Sequence, residues 1–279
     1  MADTVAQAIR ASAAALEPVS ITARADAEHL MAHALGVSRS DMLLRHMHAP
    51  VPDQFDALVA RRMAHEPMAY ILGEEYFFGF MFKVTPAVLI PRPDSEVLVE
   101  AALAARPDAR RVLDCGTGSG ALLLAVLSNL GQASGIGIDS SQAALEVARD
   151  NAVSLGLADR ARMLLADWNE PDWSRTLGGP FDLILANPPY VETGAVLEPS
   201  VRAHEPASAL FAGPDGLDDY RVLIPQVPRL LAPGGCALFE IGALQGDAVV
   251  GLAERSDLSA TLHRDLAERP RVVEMSPRS

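Results

Sequence analysis

Four residues at the end of an apolar run, Asn187, Pro188, Pro189 and Tyr190, are the group best suited to chemistry in this chain. The run before them, 181–186, has the length and apolarity of a buried strand, and the prolines must end it because proline cannot donate to a sheet ladder. The Asn187 side-chain carbonyl and the Pro188 backbone carbonyl can each accept a hydrogen bond from one planar –NH2 group, while the Tyr190 ring covers its face. The tetrapeptide therefore predicts a site that holds an amide or aromatic amine nitrogen with its lone pair directed outward. The alternative is a plain Pro-Pro turn.

A glycine-rich segment earlier in the chain predicts a ligand that contains adenosine. The segment follows the predicted strand Arg111–Asp114 and opens a helix, and it comprises Gly116, Thr117, Gly118, Ser119 and Gly120. Glycines let the backbone turn tightly and approach a ligand without interference from Cβ atoms. Asp139 ends the following strand, where its carboxylate can accept hydrogen bonds from both hydroxyls of a ribose. The segment also satisfies the G-x-G-x-x-A variant of a dinucleotide fingerprint, so nicotinamide dinucleotide, S-adenosylmethionine and a purely structural glycine turn all stay open.

Asp167 and Trp168 follow the third predicted strand, Ala161–Leu165, and narrow the choice of ligand. An adenine would lie at this position, with Asp167 accepting from its exocyclic amine and Trp168 stacking on its ring. For Trp168 alone, the alternative is a partly buried packing residue. A hydride-transfer enzyme has no need of the amine-orienting corner that begins at Asn187, so the combination favours S-adenosylmethionine.

Composition and charge exclude several classes of protein. The 279 residues carry a net charge of −13 and a single lysine, Lys83, and the absence of a basic tract argues against a nucleic-acid partner. The longest apolar stretch, 121–127, is too short to span a bilayer and the N-terminus lacks a secretion signal, so we expect a cytoplasmic protein without a membrane partner. His29 and His33 have a metal-ligand spacing, but the carboxylate of a zinc-protease motif is missing, so we expect no metal.

Changes of periodicity along the chain predict three parts, 1–74, 75–93 and 94–279. The first has apolar residues at helical spacing throughout, which is typical of a small helical bundle. The second reads as two short strands turned near Gly79, followed by a connector stiffened by prolines. In the third, helices and strands alternate with short loops, which predicts an α/β fold with a mostly parallel sheet and helices on both faces. The predicted helices are Glu96–Ala105, Gly120–Leu130, Gln142–Leu155 and Leu217–Leu231, and the predicted strands are Arg111–Asp114, Ala133–Asp139, Ala161–Leu165, Phe181–Ala186 and Gly235–Ile241.

Taken with these motifs, the chain resembles the class I methyltransferases that act on planar nitrogen. It resembles more closely the bacterial glutamine methyltransferases that modify peptide chain release factors, the HemK/PrmC family. The resemblance covers nearly the whole chain, and besides the glycine loop and the tetrapeptide it is carried by the segments 71–73, 89–96, 205–206 and 213–217. The connector at 91–94 together with the N-terminal bundle is the most specific part, whereas DNA and RNA amino-methyltransferases share the tetrapeptide.

The resemblance implies a Rossmann-like methyltransferase domain with a mostly parallel seven-stranded sheet, and S-adenosylmethionine as cofactor. It implies as substrate the glutamine of the Gly-Gly-Gln loop in release factors, methylated on N5. Asn187 and the Pro188 carbonyl would hold the glutamine amide, with Pro189 beside them and Tyr190 packed on it, and Asn187 would also border the cofactor. Residues 1–74 would help to dock the protein substrate, and we expect a monomer.

Three alternatives stay open. A glutamine methyltransferase that acts on a ribosomal protein would share every motif. A DNA or RNA amino-methyltransferase would need a basic groove, and a catalytically idle binding protein would show an eroded site. No general base is evident. Asp94 and Glu205 are polar candidates for the rim of the site, but we expect both to be loop residues that face solvent.

Overall fold

The computed structural model describes residues 4–278, which form two compact units. The helical unit comprises the residues up to Glu74 together with the segment Leu197–His204. The sheet unit comprises Glu75–Val196 and the residues from Glu205 onward. The segment 197–204 is distant in sequence from the rest of the helical unit, so no local pattern in the sequence predicts where it packs.

The regular elements are numbered along the chain. The helices are α1 Val5–Leu16, α2 Ala23–Leu35, α3 Arg39–Asp41, α4 Phe55–Met63, α5 Met68–Leu72, α6 Glu96–Ala105, α7 Ala121–Asn129, α8 Gln142–Ser154, α9 Pro199–His204, α10 Asp218–Leu223, α11 Val227–Leu230 and α12 Gly246–Arg255. The strands are β1 Glu74–Phe77, β2 Phe80–Lys83, β3 Arg111–Cys115, β4 Ser134–Asp139, β5 Ala161–Leu165, β6 Phe181–Ala186, β7 Leu231–Glu240, β8 Leu258–Arg264 and β9 Pro270–Pro277.

The helical unit is held by an apolar core and by ion pairs between its helices. One face of α1 buries Val5, Ile9 and Leu16, as the helical spacing of these residues predicts. The partly buried pair Arg62–Asp26, with Nε and Oδ2 2.8 Å apart, joins α4 to α2. A charged pair that is also hydrogen-bonded sets the register of two helices more strictly than apolar contact alone.

The sheet unit contains the predicted hairpin, β1–β2, and a seven-stranded sheet in the order β5-β4-β3-β6-β7-β9-β8. The strands β3 to β7 run parallel, and β9 is antiparallel to both β7 and β8. The central strands are buried on both faces: in β6, Leu183 and Leu185 join one apolar cluster while Ile184 and Ala186 join the other. The predicted α/β class, the mostly parallel sheet and the helices on both faces are confirmed.

Two regions differ from the sequence-based expectation. The helix predicted over Leu217–Leu231 is divided into α10, a 3-10 turn Ile224–Gln226 and α11, because Pro225 and Pro228 each remove a backbone donor. No element was predicted after Ile241, yet α12, β8 and β9 follow and complete the far edge of the sheet.

Candidate active site

Parallel strand pairing brings the predicted site residues to one edge of the sheet. In the register of the sheet, Cys115 of β3 lies beside Ile138 of β4 and beside Ala186 of β6. The residues that follow these strands, Gly116, Asp139 and Asn187, therefore meet at the carboxyl edge, where open α/β sheets bind ligands. A cavity of about 520 Å³ opens there, and these three residues line it. Thr117, Gly118, Ser119, Asp167, Trp168 and Pro189 line it as well.

Three residues of the predicted set do not line this cavity, namely Gly120, Pro188 and Tyr190. Gly120 has a positive φ of 82° and directly precedes α7, and a Cβ atom there would lie 3.3 Å from the Ala148 Cβ of α8. Its observed contact is thus the close packing of two helices. Pro188 is buried, and Tyr190 is partly buried behind the cavity wall.

Asp139 is connected to the glycine loop through its carboxylate. Its Oδ2 accepts from the Gly118 N–H at 3.0 Å, and its Oδ1 accepts from the Ser141 N–H at 2.8 Å. Burial raises the pKa of the Asp139 carboxyl, while these backbone N–H groups lower it. Because each carboxylate oxygen has a second lone pair, both can still accept a hydroxyl proton from a ligand in the cavity.

Thr117 supports the loop from its buried side. Its hydroxyl donates to Asp114 Oδ2 at 2.6 Å. Asp114 is 1 % exposed, and burial raises the pKa of its carboxyl to about 7. Thr117 therefore joins the loop to the end of β3.

Trp168 lies against the glycine loop. A Cβ atom on Gly116 would stand 3.2 Å from Trp168 Cη2, so only glycine lets the ring come this close. The indole Nε1 donates to Asp219 Oδ1 at 2.9 Å, and Asp219 also lines the cavity. Burial raises the pKa of Asp219. Asp219 belongs to none of the sequence motifs and is brought to Trp168 from the start of α10.

Asp167 faces the same cavity with part of its acceptor capacity in use. Its Oδ1 accepts from the backbone N–H and from Nδ2 of Asn169, both at 2.9 Å. Its Oδ2 has no such bond among the described residues. The pair Asp167 and Trp168 thus presents a carboxylate and an indole to the cavity.

Asn187 is oriented by a residue of the connector before α6. Its Nδ2 donates to Ser95 Oγ at 3.4 Å, which leaves Oδ1 as the acceptor available to a ligand. Ser95 is 4 % exposed and also lines the cavity. Ser95 was not among the predicted site residues, although it is part of the 89–96 segment.

Tyr190 is anchored on the side away from the cavity. Its hydroxyl donates to Glu240 Oε1 at 3.5 Å, and its backbone oxygen accepts from Gln245 Nε2 at 3.0 Å. Burial raises the pKa of the Tyr190 phenol. The contacts of Tyr190 hold the loop after Asn187 against the end of β7.

Glu205 was expected to face solvent, and this expectation is wrong. Its side chain is 1 % exposed and pairs with Arg92, and its Oε2 accepts from the Ile90 N–H at 3.4 Å. Ile90 and Arg92 line the cavity, as does Pro206. The ion pair therefore ties together two segments of the cavity wall. Asp94 is partly exposed and pairs with Arg271, with Oδ2 and Nη2 2.5 Å apart.

Within 4–278 no cluster of three or more histidine, cysteine, aspartate or glutamate side chains is arranged to hold a metal ion. His29 and His33 are both exposed on α2. No helix in the described part of the chain is long and apolar enough to cross a bilayer.

The fold and the cavity place the chain among the methyltransferases. Residues 107–265, more than half of the chain, match the family model described as methyltransferase domain, and residues 7–73 match the one described as PrmC N-terminal domain. A methyltransferase from Pyrococcus furiosus has the same fold, with a TM-score of 0.53 at 17% identity over 77% of this chain and 95% of that one.

Curated relatives define the family more narrowly. The release factor glutamine methyltransferase of Cereibacter sphaeroides is 43% identical over 276 residues, which is 96% of each chain. The protein of the same name from Rhodospirillum rubrum is 42% identical over 257 residues, which is 90% of this chain and 78% of the relative. The chain belongs to the release factor glutamine methyltransferase family, and the resemblance inferred from its sequence is confirmed.

Proposed function

We propose that this protein transfers a methyl group from S-adenosylmethionine to N5 of the glutamine in the Gly-Gly-Gln loop of peptide chain release factors. One observation carries the proposal. Asn187, with its amide oriented by Ser95, shares a single cavity with Asp139 and the glycine loop. The cavity thus contains a hydrogen-bond acceptor for a planar –NH2 group and another for ribose hydroxyls. A methyl donor and the nitrogen that receives the methyl group could therefore bind there side by side. The names of the close relatives supply the substrate.

The residues of the cavity fit an adenosine-containing methyl donor. Asp139 would accept from the ribose hydroxyls, and Trp168 would stack on the adenine, with Asp167 as acceptor for its amine. Gly116 to Ser119 would approach the ligand through the backbone, and Asn187 would border it. When bound, S-adenosylmethionine supplies an electrophilic methyl group on a sulfonium centre.

An amide nitrogen is a poor nucleophile because its lone pair is delocalised into the carbonyl. Asn187 Oδ1 and the Pro188 carbonyl would each accept a hydrogen bond from the substrate –NH2 group, which raises the electron density on nitrogen and aligns it with the methyl group. Pro189 would hold the amide plane, and Tyr190, which does not line the cavity, would support this corner from behind. Positioning of the nitrogen and the hydrogen bonds to these two acceptors account for the rate of methyl transfer, so no side chain needs to remove a proton first. The proton leaves to water after transfer.

The substrate is proposed to be protein and not nucleic acid. A chain with a net charge of −13, whose 23 basic residues form no basic tract, offers little for phosphate neutralisation. Release factors act in translation, so we place the reaction in the cytoplasm. We further propose that the enzyme is a monomer. The helical unit would contribute to docking of the release factor.

One assay tests the proposal. Labelled methyl transfer from S-adenosylmethionine is measured side by side on a purified release factor, ribosomal protein and DNA. We expect label in the release factor alone, at the glutamine side chain. Label in the ribosomal protein alone, or in DNA alone, would replace the proposed substrate with the corresponding alternative.

A variant tests the site in the same assay. Asn187→Ala should lower turnover on release factor at least about a hundredfold, the scale seen when a positioned polar group is deleted. Asn129→Ala is the matched control, because Asn129 is exposed at the end of α7 and its Nδ2 only donates to the Ala125 carbonyl. Near-normal turnover in the Asn187 variant would make the tetrapeptide a structural corner only.

A further inference from the structure

A carboxylate on α10 is hydrogen-bonded to the aromatic ring that is proposed to stack on the adenine of the cofactor. Asp219 Oδ1 accepts from the Trp168 indole Nε1 at 2.9 Å, and both residues line the cavity. The two residues are 51 positions apart in the chain, so only the fold brings them together. Asp219 has no part in the roles proposed so far.

The Trp168 ring is held at two opposite edges. At its pyrrole edge, Nε1 donates to Asp219. At its benzene edge, Cη2 and Cζ3 face Gly116, where an added Cβ atom would lie 3.2 Å and 3.3 Å from them. Cζ3 lies across the six-membered ring from the carbon that carries Nε1, so the two contacts hold the two ends of the indole. The backbone is held as well, because Gln226 Nε2 donates to the Trp168 carbonyl at 3.5 Å.

Of the two ring contacts, only the hydrogen bond selects the orientation of the indole. The χ2 torsion of tryptophan has a broad, roughly twofold preference, so the side chain does not fix the ring by itself. The contact with Gly116 is apolar and limits space without a preferred direction. A hydrogen bond to a carboxylate is directional, and it forms only when Nε1 points to Asp219. Without that acceptor the ring could turn about χ2, and the N–H of a partly buried side chain would lose its partner.

We propose that Asp219 is a positioning residue of the cofactor site: it fixes the Trp168 indole in its orientation beside the glycine loop before S-adenosylmethionine binds. This inference rests on the proposed function, since it takes Trp168 as the surface on which the adenine stacks. A stacking surface that is already fixed loses little conformational freedom when the ligand binds, which favours tight binding. Asp219 acts through the indole N–H and not by accepting from the ligand.

The first measurement uses the full-length protein without ligand. The chain has two tryptophans, Trp168 and Trp173, so NMR spectra of the isotope-labelled protein contain two indole N–H resonances. In Asp219→Ala the Trp168 resonance should shift upfield, and its N–H should exchange with solvent at least about tenfold faster because it has lost its acceptor. Trp173 is the control within the same spectrum, since its Nε1 donates to Gln226 Oε1 at 2.7 Å and should not change.

The second measurement is the Kd for S-adenosylmethionine by calorimetry. Asp219→Ala should raise it about tenfold, within the range that stacking of one base on an aromatic ring contributes. Asp219→Asn keeps an oxygen that can accept from the indole, so the Kd should rise by no more than about threefold. Asp218→Ala is the matched control. Asp218 is the neighbouring exposed carboxylate in the first turn of α10 and does not line the cavity, so the same charge is removed and the Kd should stay unchanged.

A double-mutant cycle distinguishes action through the indole from direct contact with the ligand. Trp168→Phe keeps an aromatic surface but has no N–H for Asp219 to hold. Adding Asp219→Ala to Trp168→Phe should therefore change the Kd by less than about twofold. If Asp219 accepted from the adenine amine instead, its removal would weaken binding as much in the Trp168→Phe protein as in the unmodified one, and the positioning role would be wrong.

Unchanged exchange of the Trp168 indole N–H in Asp219→Ala would also overturn the inference, as would an unchanged Kd. If Asp219→Ala does not fold, the exchange measured in Asp219→Asn decides, because a neutral oxygen is a weaker acceptor than a carboxylate and exchange should still become faster. If the unmodified protein binds S-adenosylmethionine and methylates release factor while the Asp219 variants bind the cofactor equally well, only the positioning role fails. If the unmodified protein does not bind S-adenosylmethionine, the proposed function fails and the positioning role fails with it.

Discussion

Replacing Asp139 by alanine tests the proposed cofactor site at its most strongly connected residue. The carboxylate already accepts hydrogen bonds from the N–H groups of Gly118 and Ser141. We therefore take the loss of binding free energy in the variant as that of one charge-assisted hydrogen bond to a ribose hydroxyl. Such a bond contributes about 1.5–3 kcal/mol. We therefore expect the Kd for S-adenosylmethionine to rise about 10- to 150-fold.

The same change should also destabilise the protein. Without the carboxylate, the N–H groups of Gly118 and Ser141 lose their acceptor, and an N–H left unpaired costs roughly 1–3 kcal/mol. Calorimetry gives the Kd, and thermal unfolding without ligand gives the loss of stability. Asp159→Ala is the control, because Asp159 is an exposed carboxylate before β5 that does not line the cavity, and both quantities should stay unchanged.

A ligand that lacks the ribose hydroxyls distinguishes two causes of weaker binding in the Asp139 variant: loss of a direct contact with the ribose, and distortion of the glycine loop. A dideoxy analogue of S-adenosylmethionine should bind more weakly than the parent to the unmodified protein but equally to the Asp139 variant. Equal penalties in both proteins would show that Asp139 acts on the loop and not on the ribose. An unchanged Kd in the variant would refute the ribose assignment altogether, and tight binding of nicotinamide dinucleotide would refute the choice of cofactor.

Two further predictions concern stability and substrate docking. Burial raises the pKa of Asp114 from 3.8 to about 7, so between these values the folded protein holds a proton that the unfolded chain releases. The free energy of unfolding should therefore fall as the pH rises from about 4 to about 7, by on the order of 4 kcal/mol at most. Urea unfolding measures this dependence, and Asp114→Asn should flatten it. An unchanged pH dependence in the variant would contradict the raised pKa of Asp114. An enzyme that starts at Glu75 should still bind S-adenosylmethionine but methylate release factor less efficiently, with the loss mainly in KM. Full activity of that enzyme would refute docking by the helical unit, and lost cofactor binding with aggregation would show that the unit only covers apolar surface.

Much of the fold and the centre of the site follow from local patterns in the sequence. Alternating apolar strands and amphipathic helices depend on residues a few positions apart, so their periodicity predicts the sheet and its helices. The loop at Gly116 and the corner at Asn187 are predictable for a similar reason. Each comes directly after a strand, and in a parallel sheet the ends of the strands meet at one edge.

The parts that were missed or wrong depend on contacts between distant parts of the chain. Ser95 is brought to Asn187 across 92 positions, and the Ile90 N–H meets Glu205 across 115. Glu205 reads as an exposed loop residue because a charged side chain is rarely buried, and its burial is compensated by a partner that no local pattern reveals. Asp219 and Glu240 belong to elements whose own sequences show only a helix start and a strand end. Sequence periodicity thus accounts for the strands, the helices and the motifs between them. Tertiary packing determines which polar groups surround those motifs, because a hydrogen bond requires two groups to meet within about 3 Å whatever their separation along the chain.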